Sequence, residues 1–131
     1  MNDLGTNLLP ADGEVYYVPD MFTKERADAY FDELLTQVSW KQEPIKIFGR
    51  EIMQPRLTSW YGDKAYTYSG LTMKPNSWIA PLNEIKTVAE AYANFESSSA
   101  LLNLYRNEKD SMGWHRDNEQ ALGAAPVIAS V

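Results

Sequence analysis

Residues 99–119 read SALLNLYRNEKDSMGWHRDNE, and the pattern at their start decides the fold. Leu102 and Leu104 point one way along an extended chain, and Asn103 and Tyr105 the other, because successive strand side chains face opposite sides. A polar turn over 107–111 ends that strand. The chain then delivers its only histidine, His115, followed two residues later by Asp117. An imidazole and a carboxylate at i and i+2 on an extended segment can both reach one ion. They would be two of the three ligands of the 2-His-1-carboxylate face that holds non-haem Fe(II). By itself, H-x-D also fits a solvated loop.

Outward from this stretch, the bounds are those of one modest domain. The chain has 131 residues, 44% hydrophobic and 23% charged, ordinary globular values that argue against wholesale disorder. No apolar run is long enough to cross a bilayer, and the opening Met-Asn-Asp-Leu-Gly lacks a basic and apolar leader pattern. The sequence is therefore expected to be cytoplasmic (or nuclear in a eukaryote), not secreted, with no membrane partner. With no cysteine, disulfides and thiolate metal sites are excluded. The net charge of −6 speaks against a nucleic-acid partner, but it is unevenly spread. Between positions 41 and 74 six basic residues face three acidic ones, a basic third on an acidic body that suits one phosphate-touching face.

In chain order, residues 1–13 read as a loose arm and 14–18 as a short strand. Thr23 is a candidate N-cap with Glu25 in the first turn. Ala27, Tyr30, Phe31, Leu34, Leu35 and Val38 predict an amphipathic helix over 24–38. Residues 40–48 predict an extended segment turning at Gly49, with Phe48 at the tip between Lys46 and Arg50. That aromatic is either tucked into the core or a wedge pushed between bases while the cations hold phosphate. A β-branched and aromatic strand from Arg56 to Tyr61 closes at Gly62. Tyr66 and Tyr68 follow on one face, then Ser69-Gly70. A second helix over 81–93 is opened by Pro81 and carries Leu82, Ile85, Val88, Ala89 and Tyr92.

Three segments together resemble the AlkB family: Asn103-Leu104-Tyr105-Arg106-Asn107, Trp114-His115-Arg116-Asp117-Asn118-Glu119 and Pro126-Val127-Ile128-Ala129-Ser130-Val131. The likeness runs from about Phe48 to Val131 and is most similar to the animal DNA/RNA-repair homologues and their bacterial relatives. It implies an enzyme using Fe(II), 2-oxoglutarate and O2 to remove alkyl groups from bases of DNA or RNA as aldehyde. It implies that His115 and Asp117 are the metal ligands and catalytic centre, and that Asn103 and Tyr105 hydrogen-bond the 2-oxoglutarate. On the substrate side it implies Phe48 and Arg50, together with Arg56, Tyr66, Tyr68, Ser69 and Glu119. Tyr68 would stack on a flipped base, and Glu119 would meet its exocyclic amine. Asn118 stands where close family members often carry an acid, which leaves the base preference open.

The implied fold is α+β: the N-terminal part of a double-stranded β-helix (a jelly roll), with two amphipathic helices backing the sheet. Within a single domain over 14–131, residues 14–98 would form the nucleotide-recognition region and 99–131 the start of the catalytic core. The family's distal histidine and its 2-oxoglutarate arginines follow the I-A-S-V segment, where this sequence stops. The expectation is an incomplete metal site, little or no activity for this chain alone, and a homodimer or strand-swapped assembly covering a bared sheet face. Two other readings stay open: a nucleic-acid-binding fragment without chemistry, and a 2-oxoglutarate oxygenase with a different class of substrate.

Overall fold

The computed structural model describes residues 3–68, 70–117 and 123–131, without the side chains of Tyr66 and Tyr68. Its order is helix α1 (Lys24–Gln37), strands β1 (Pro44–Ile47), β2 (Arg50–Met53), β3 (Leu57–Gly62), β4 (Tyr66–Tyr68) and β5 (Leu71–Met73), helix α2 (Ala80–Ala93) and strand β6 (Ser99–Leu104). Helices and small antiparallel sheets make it α+β. None of the described helices is long and apolar enough to cross a membrane.

Local chemistry sets both helices. Thr23 is extended, and its hydroxyl accepts from the Arg26 N–H at 3.2 Å, satisfying one of the donors left over at a helix start. Helix α1 stops at Val38, which returns to extended geometry while its N–H still reaches the Leu34 carbonyl at 3.1 Å. In α2, Pro81 takes the second helical position, where a missing N–H leaves no bond unmade. That helix ends on Asn94 in the left-handed conformation, φ 50°, with its N–H on the Glu90 carbonyl.

Strand β3 is the axis of the structure. It pairs antiparallel with β6 in the register Leu57↔Leu104, Thr58↔Asn103, Trp60↔Leu101, Gly62↔Ser99. Its other edge is bridged by Lys41 against Thr58 and by Asn76 against Tyr61. Alternation then divides the work of this ladder. One face presents Tyr61, Ala100 and Leu102 to Val38 and Leu82, with Leu34, Trp40, Trp78 and Ile79 completing the cluster. The helices are therefore packed on this side. The opposite face carries Thr58, Trp60, Leu101 and Asn103, and Trp60 packs there against Met73 and Leu71.

The hairpin β1–β2 pairs Ile47 with Arg50, so its loop is only Phe48-Gly49. Both loop residues have positive φ, 49° and 75°, as a type I′ turn requires. Strands β4 and β5 make a third pair, Tyr66↔Met73 and Tyr68↔Leu71.

Three sequence expectations need correction. Residues 14–18 form no strand, because among the described residues no partner strand lies alongside. Instead the Asn7 side chain ties this segment into a loop, its amide oxygen accepting from Leu9 N–H and Val15 N–H, while Leu8 N–H reaches the Val15 carbonyl. The arm before Gly13 is thus held as well. The apolar stripe of α1 is also narrower than its spacing suggests. Tyr30 and Val38 are buried and Leu34 packs on the core, but Phe31 and Leu35 are exposed, on a side no described element covers.

Candidate active site

Asn103 lies in β6 directly opposite Thr58, and Tyr105 follows just past the end of the ladder, 47% exposed. The Asn103 amide oxygen accepts from Arg56 Nε at 3.2 Å. Arg56 is only 8% exposed, so it does not lie on the surface beside Phe48 and Arg50. Its remaining guanidinium nitrogens donate to the Ser111 carbonyl at 3.2 Å and to Gln54 Oε1 at 2.5 Å. One planar fork thus ties the start of β3, the site strand and the turn after it.

That turn is itself tightly held. Asp110 accepts from the Arg106 backbone N–H at 2.9 Å and from its guanidinium at 2.7 and 3.0 Å, a bidentate pair. The hydrogen bonds from Arg106 pull the Asp110 carboxyl down to a pKa of about 2, and the same pairing raises that of Arg106. Asn107 caps the turn by accepting from Lys109 N–H, and Ser111 N–H then bonds the Pro55 carbonyl at 2.8 Å. Sequence reading took 107–111 only as a polar turn. The signal available was the Arg-x-x-x-Asp spacing, which lets a carboxylate fold back on the arginine four residues earlier.

Beyond the turn the chain is neither helix nor strand, and bends at Trp114 before His115 and Asp117. His115 Nε2 and Asp117 Oδ1 are 3.7 Å apart, with side chains 51% and 42% exposed. The other imidazole nitrogen, Nδ1, is 3.0 Å from the Gly113 carbonyl. A carbonyl only accepts, so Nδ1 carries the proton and the Nε2 lone pair is left for an ion, as histidine ligands require. With metal–donor bonds of about 2.1 Å, adjacent positions on one ion lie about 3 Å apart. These two donors need close by only about 0.7 Å, which exposed side chains can do, so they fit a first-row metal ion. Among the described residues no group of three metal-binding side chains occurs.

The substrate-side expectations fall in separate places. Phe48 stands fully exposed at the hairpin tip, with Lys46 and Arg50 exposed on either side. It is not a core aromatic. Tyr66 and Tyr68 have their backbones in β4; their side chains, together with Ser69 and Glu119, lie outside the described residues. No hydrogen bond among the described residues joins the His115–Asp117 pair directly to Asn103 or Tyr105. The link between them runs through Arg56, Ser111 and the Arg106–Asp110 turn. Trp114, beside His115, is fully exposed; the sequence marks it only as part of the family-like segment, with no role of its own.

Comparison with known proteins gives this arrangement its family. The sequence model of the 2OG-Fe(II) oxygenase superfamily matches residues 14–131. Alpha-ketoglutarate-dependent dioxygenase alkB homolog 3 of Bos taurus is 44% identical over 86% of this chain, a match covering 40% of that protein. The Homo sapiens protein of the same name is 43% identical over the same shares. The DNA oxidative demethylase ALKBH2 of Bos taurus is 34% identical over 85% of this chain and 42% of its own length. The chain spans about two fifths of the length of these relatives. N-x-Y at the end of a strand, a braced turn and an H-x-D pair with its tautomer set for a metal thus belong to a member of the AlkB family within the 2OG-Fe(II) oxygenase superfamily.

Proposed function

We propose that this chain carries the nucleic-acid side and half of the metal centre of an oxidative demethylase acting on N-alkylated bases in DNA or RNA. The observation that carries the reading is the His115–Asp117 pair, 3.7 Å apart with Nε2 freed by the Gly113 bond, in a chain 44% identical to an alkB homolog 3. Fe(II) and 2-oxoglutarate, when bound, supply with O2 the oxidation that releases an N-methyl group as formaldehyde. His115 Nε2 and the Asp117 carboxylate hold the ion, and Asn103 and Tyr105 hydrogen-bond the co-substrate. Phe48 enters the gap left by a flipped base, while Lys46 and Arg50 hold the flanking phosphates. Tyr66, Tyr68 and Ser69 line the base pocket and Glu119 reads the exocyclic amine. The burial of Arg56 favours a supporting role for it over contact with substrate.

The strand pairs of the described chain are edges of a double-stranded β-helix, and the activity is exercised in cytoplasm or nucleus. With one imidazole and one carboxylate on the ion, the 131-residue polypeptide by itself holds Fe(II) weakly and turns over slowly or not at all. Leu101 and Tyr105, exposed on the sheet side away from the helices, are covered in the isolated chain by a second copy. A monomer by sedimentation at micromolar concentration would remove the dimer from this picture.

Anaerobic calorimetry with Fe(II) and 2-oxoglutarate tests the reading, followed by formaldehyde release from an N-methylated oligonucleotide. Weak binding of each that strengthens the other, lost in Asp117→Ala, with little or no formaldehyde released, is the expected outcome. Independent or absent binding would overturn it. Salt-dependent binding of the oligonucleotide without metal or co-substrate affinity would leave only a nucleic-acid-binding module.

A further inference from the structure

We infer that Arg56 is a positioning residue that fixes the polarity of the Asn103 amide, so that only N–H donors are offered to the co-substrate carboxylate. The inference rests on the reading of Asn103 as a 2-oxoglutarate contact and adds what decides which end of the amide makes it. An asparagine amide has an accepting end and a donating end of nearly equal shape, and a half-turn about its last bond exchanges them. Here the choice is made by chemistry. Arg56 Nε can only donate, so the Asn103 atom 3.2 Å from it is the oxygen. That leaves Nδ2 with two hydrogens and, among the described residues, no acceptor.

The fork cannot turn away to accommodate the other orientation. Its two outer nitrogens are committed to Gln54 Oε1 and the Ser111 carbonyl, and Ser111 N–H is in turn fixed on the Pro55 carbonyl. Flipping Asn103 would set an NH2 group against an N–H donor inside a site where Arg56 is nearly buried, a repulsive and unsatisfied arrangement. The directly opposite residue, Thr58, is 1% exposed, and among the described residues its hydroxyl bonds neither end of the amide. A dicarboxylate is an acceptor-only ligand at neutral pH, so an outward oxygen would repel it and an outward NH2 grips it. The same fork also holds Ser111, four residues before His115, which ties co-substrate polarity and the approach to the metal ligands to one side chain.

The test compares the wild-type chain with Asn103→Asp and Arg56→Lys, using 2-oxoglutarate with Mn(II) as the metal and reading both affinities by calorimetry. Asn103→Asp keeps an acceptor for Arg56 and the same shape but offers no N–H. Expected is a loss of 2-oxoglutarate affinity of tenfold or more, of the order of one charge-assisted hydrogen bond, with thermal stability retained. Arg56→Lys keeps the charge but gathers its donors on one nitrogen, which cannot reach three acceptors spaced around a planar fork. Expected there is 2-oxoglutarate affinity about tenfold weaker with Mn(II) affinity within about twofold. NMR of the guanidinium N–H groups in the free protein gives a readout without ligand: the Arg56 Nε–H is protected from exchange in the wild type and in Asn103→Asp, but not in Asn103→Leu. Wild-type binding that Asn103→Asp retains would overturn the inference alone. No wild-type binding of 2-oxoglutarate would overturn the co-substrate reading, and the inference with it.

Discussion

Replacing Phe48 with asparagine should move stability and recognition in opposite directions. Phe48 occupies the first position of a two-residue loop at φ 49°, a left-handed conformation that crowds the Cβ of an ordinary side chain and costs roughly 1–2 kcal/mol. Asparagine tolerates it far better, which is why Asn-Gly is the preferred sequence for this turn. The ring is fully exposed, so its removal forfeits no buried apolar area. The net expectation is a gain of about 1 kcal/mol, or a Tm higher by roughly 3–5 °C for a chain of this size. Had the ring been part of the core, truncating it would instead cost about 3–5 kcal/mol. Recognition should fall, because an aromatic stacked on bases contributes about 1–3 kcal/mol, roughly 5- to 150-fold in affinity. Calorimetric unfolding and fluorescence anisotropy with an N-methylated duplex measure the two quantities on the same preparation. A variant that melts earlier, or one that binds the duplex as well as the wild type, would refute the reasoning.

Three other outcomes follow from the same geometry. The depressed carboxyl of Asp110 contributes stability in full above its ordinary value near 3.8 and loses it as pH falls toward about 2, so the Tm gap between wild type and Asp110→Asn should close across that interval; a gap constant from pH 6 to 2 would disprove the pairing. Gly62 sits at φ 142° where an added Cβ would come within 2.6 Å of the Ser98 carbonyl oxygen and 2.7 Å of Ser99 Cβ, so Gly62→Ala should destabilise by about 1–3 kcal/mol in urea unfolding, by opening the end of the β3–β6 ladder. His115→Ala should abolish what Co(II) or Fe(II) binding the chain has, seen by calorimetry, while leaving the Tm unchanged within about 2 °C, because the ring is half exposed and its one protein hydrogen bond is local.

What could be read from sequence was what short-range chemistry decides. Thr23 as a cap, Gly49 as a turn residue and the alternation of Leu102, Asn103 and Leu104 all depend on neighbours a few residues away, and each was legible. The strand proposed at 14–18 failed because pattern reports a willingness to extend, while a strand also needs a partner edge. Phe31 and Leu35 failed similarly: helical spacing marks every apolar position, and only tertiary packing selects which of them is covered. Arg56 is the instructive case in the site. In a basic stretch it resembles a phosphate contact, but its acceptors on Asn103 and Ser111 lie 47 and 55 residues away, and no local pattern announces them. The family came through because H-x-D and N-x-Y sit on one continuous segment.

The division of β6 between two faces also bears on which insertions and deletions the chain can survive. Ala100 and Leu102 serve the helices, Leu101 and Asn103 the opposite side. Deleting one residue before Asn103 would exchange the two sets, carrying the amide toward the apolar cluster around Tyr61 and swinging Leu104 to where a co-substrate is expected. Removing two would restore the facing but slide Asn103 past Thr58 and out of reach of Arg56. Length variation in a lineage of such chains should therefore collect in the loop before Ser99 or beyond Asp117, and be purged between Arg56 and Gly62 and between Ser99 and Ser111.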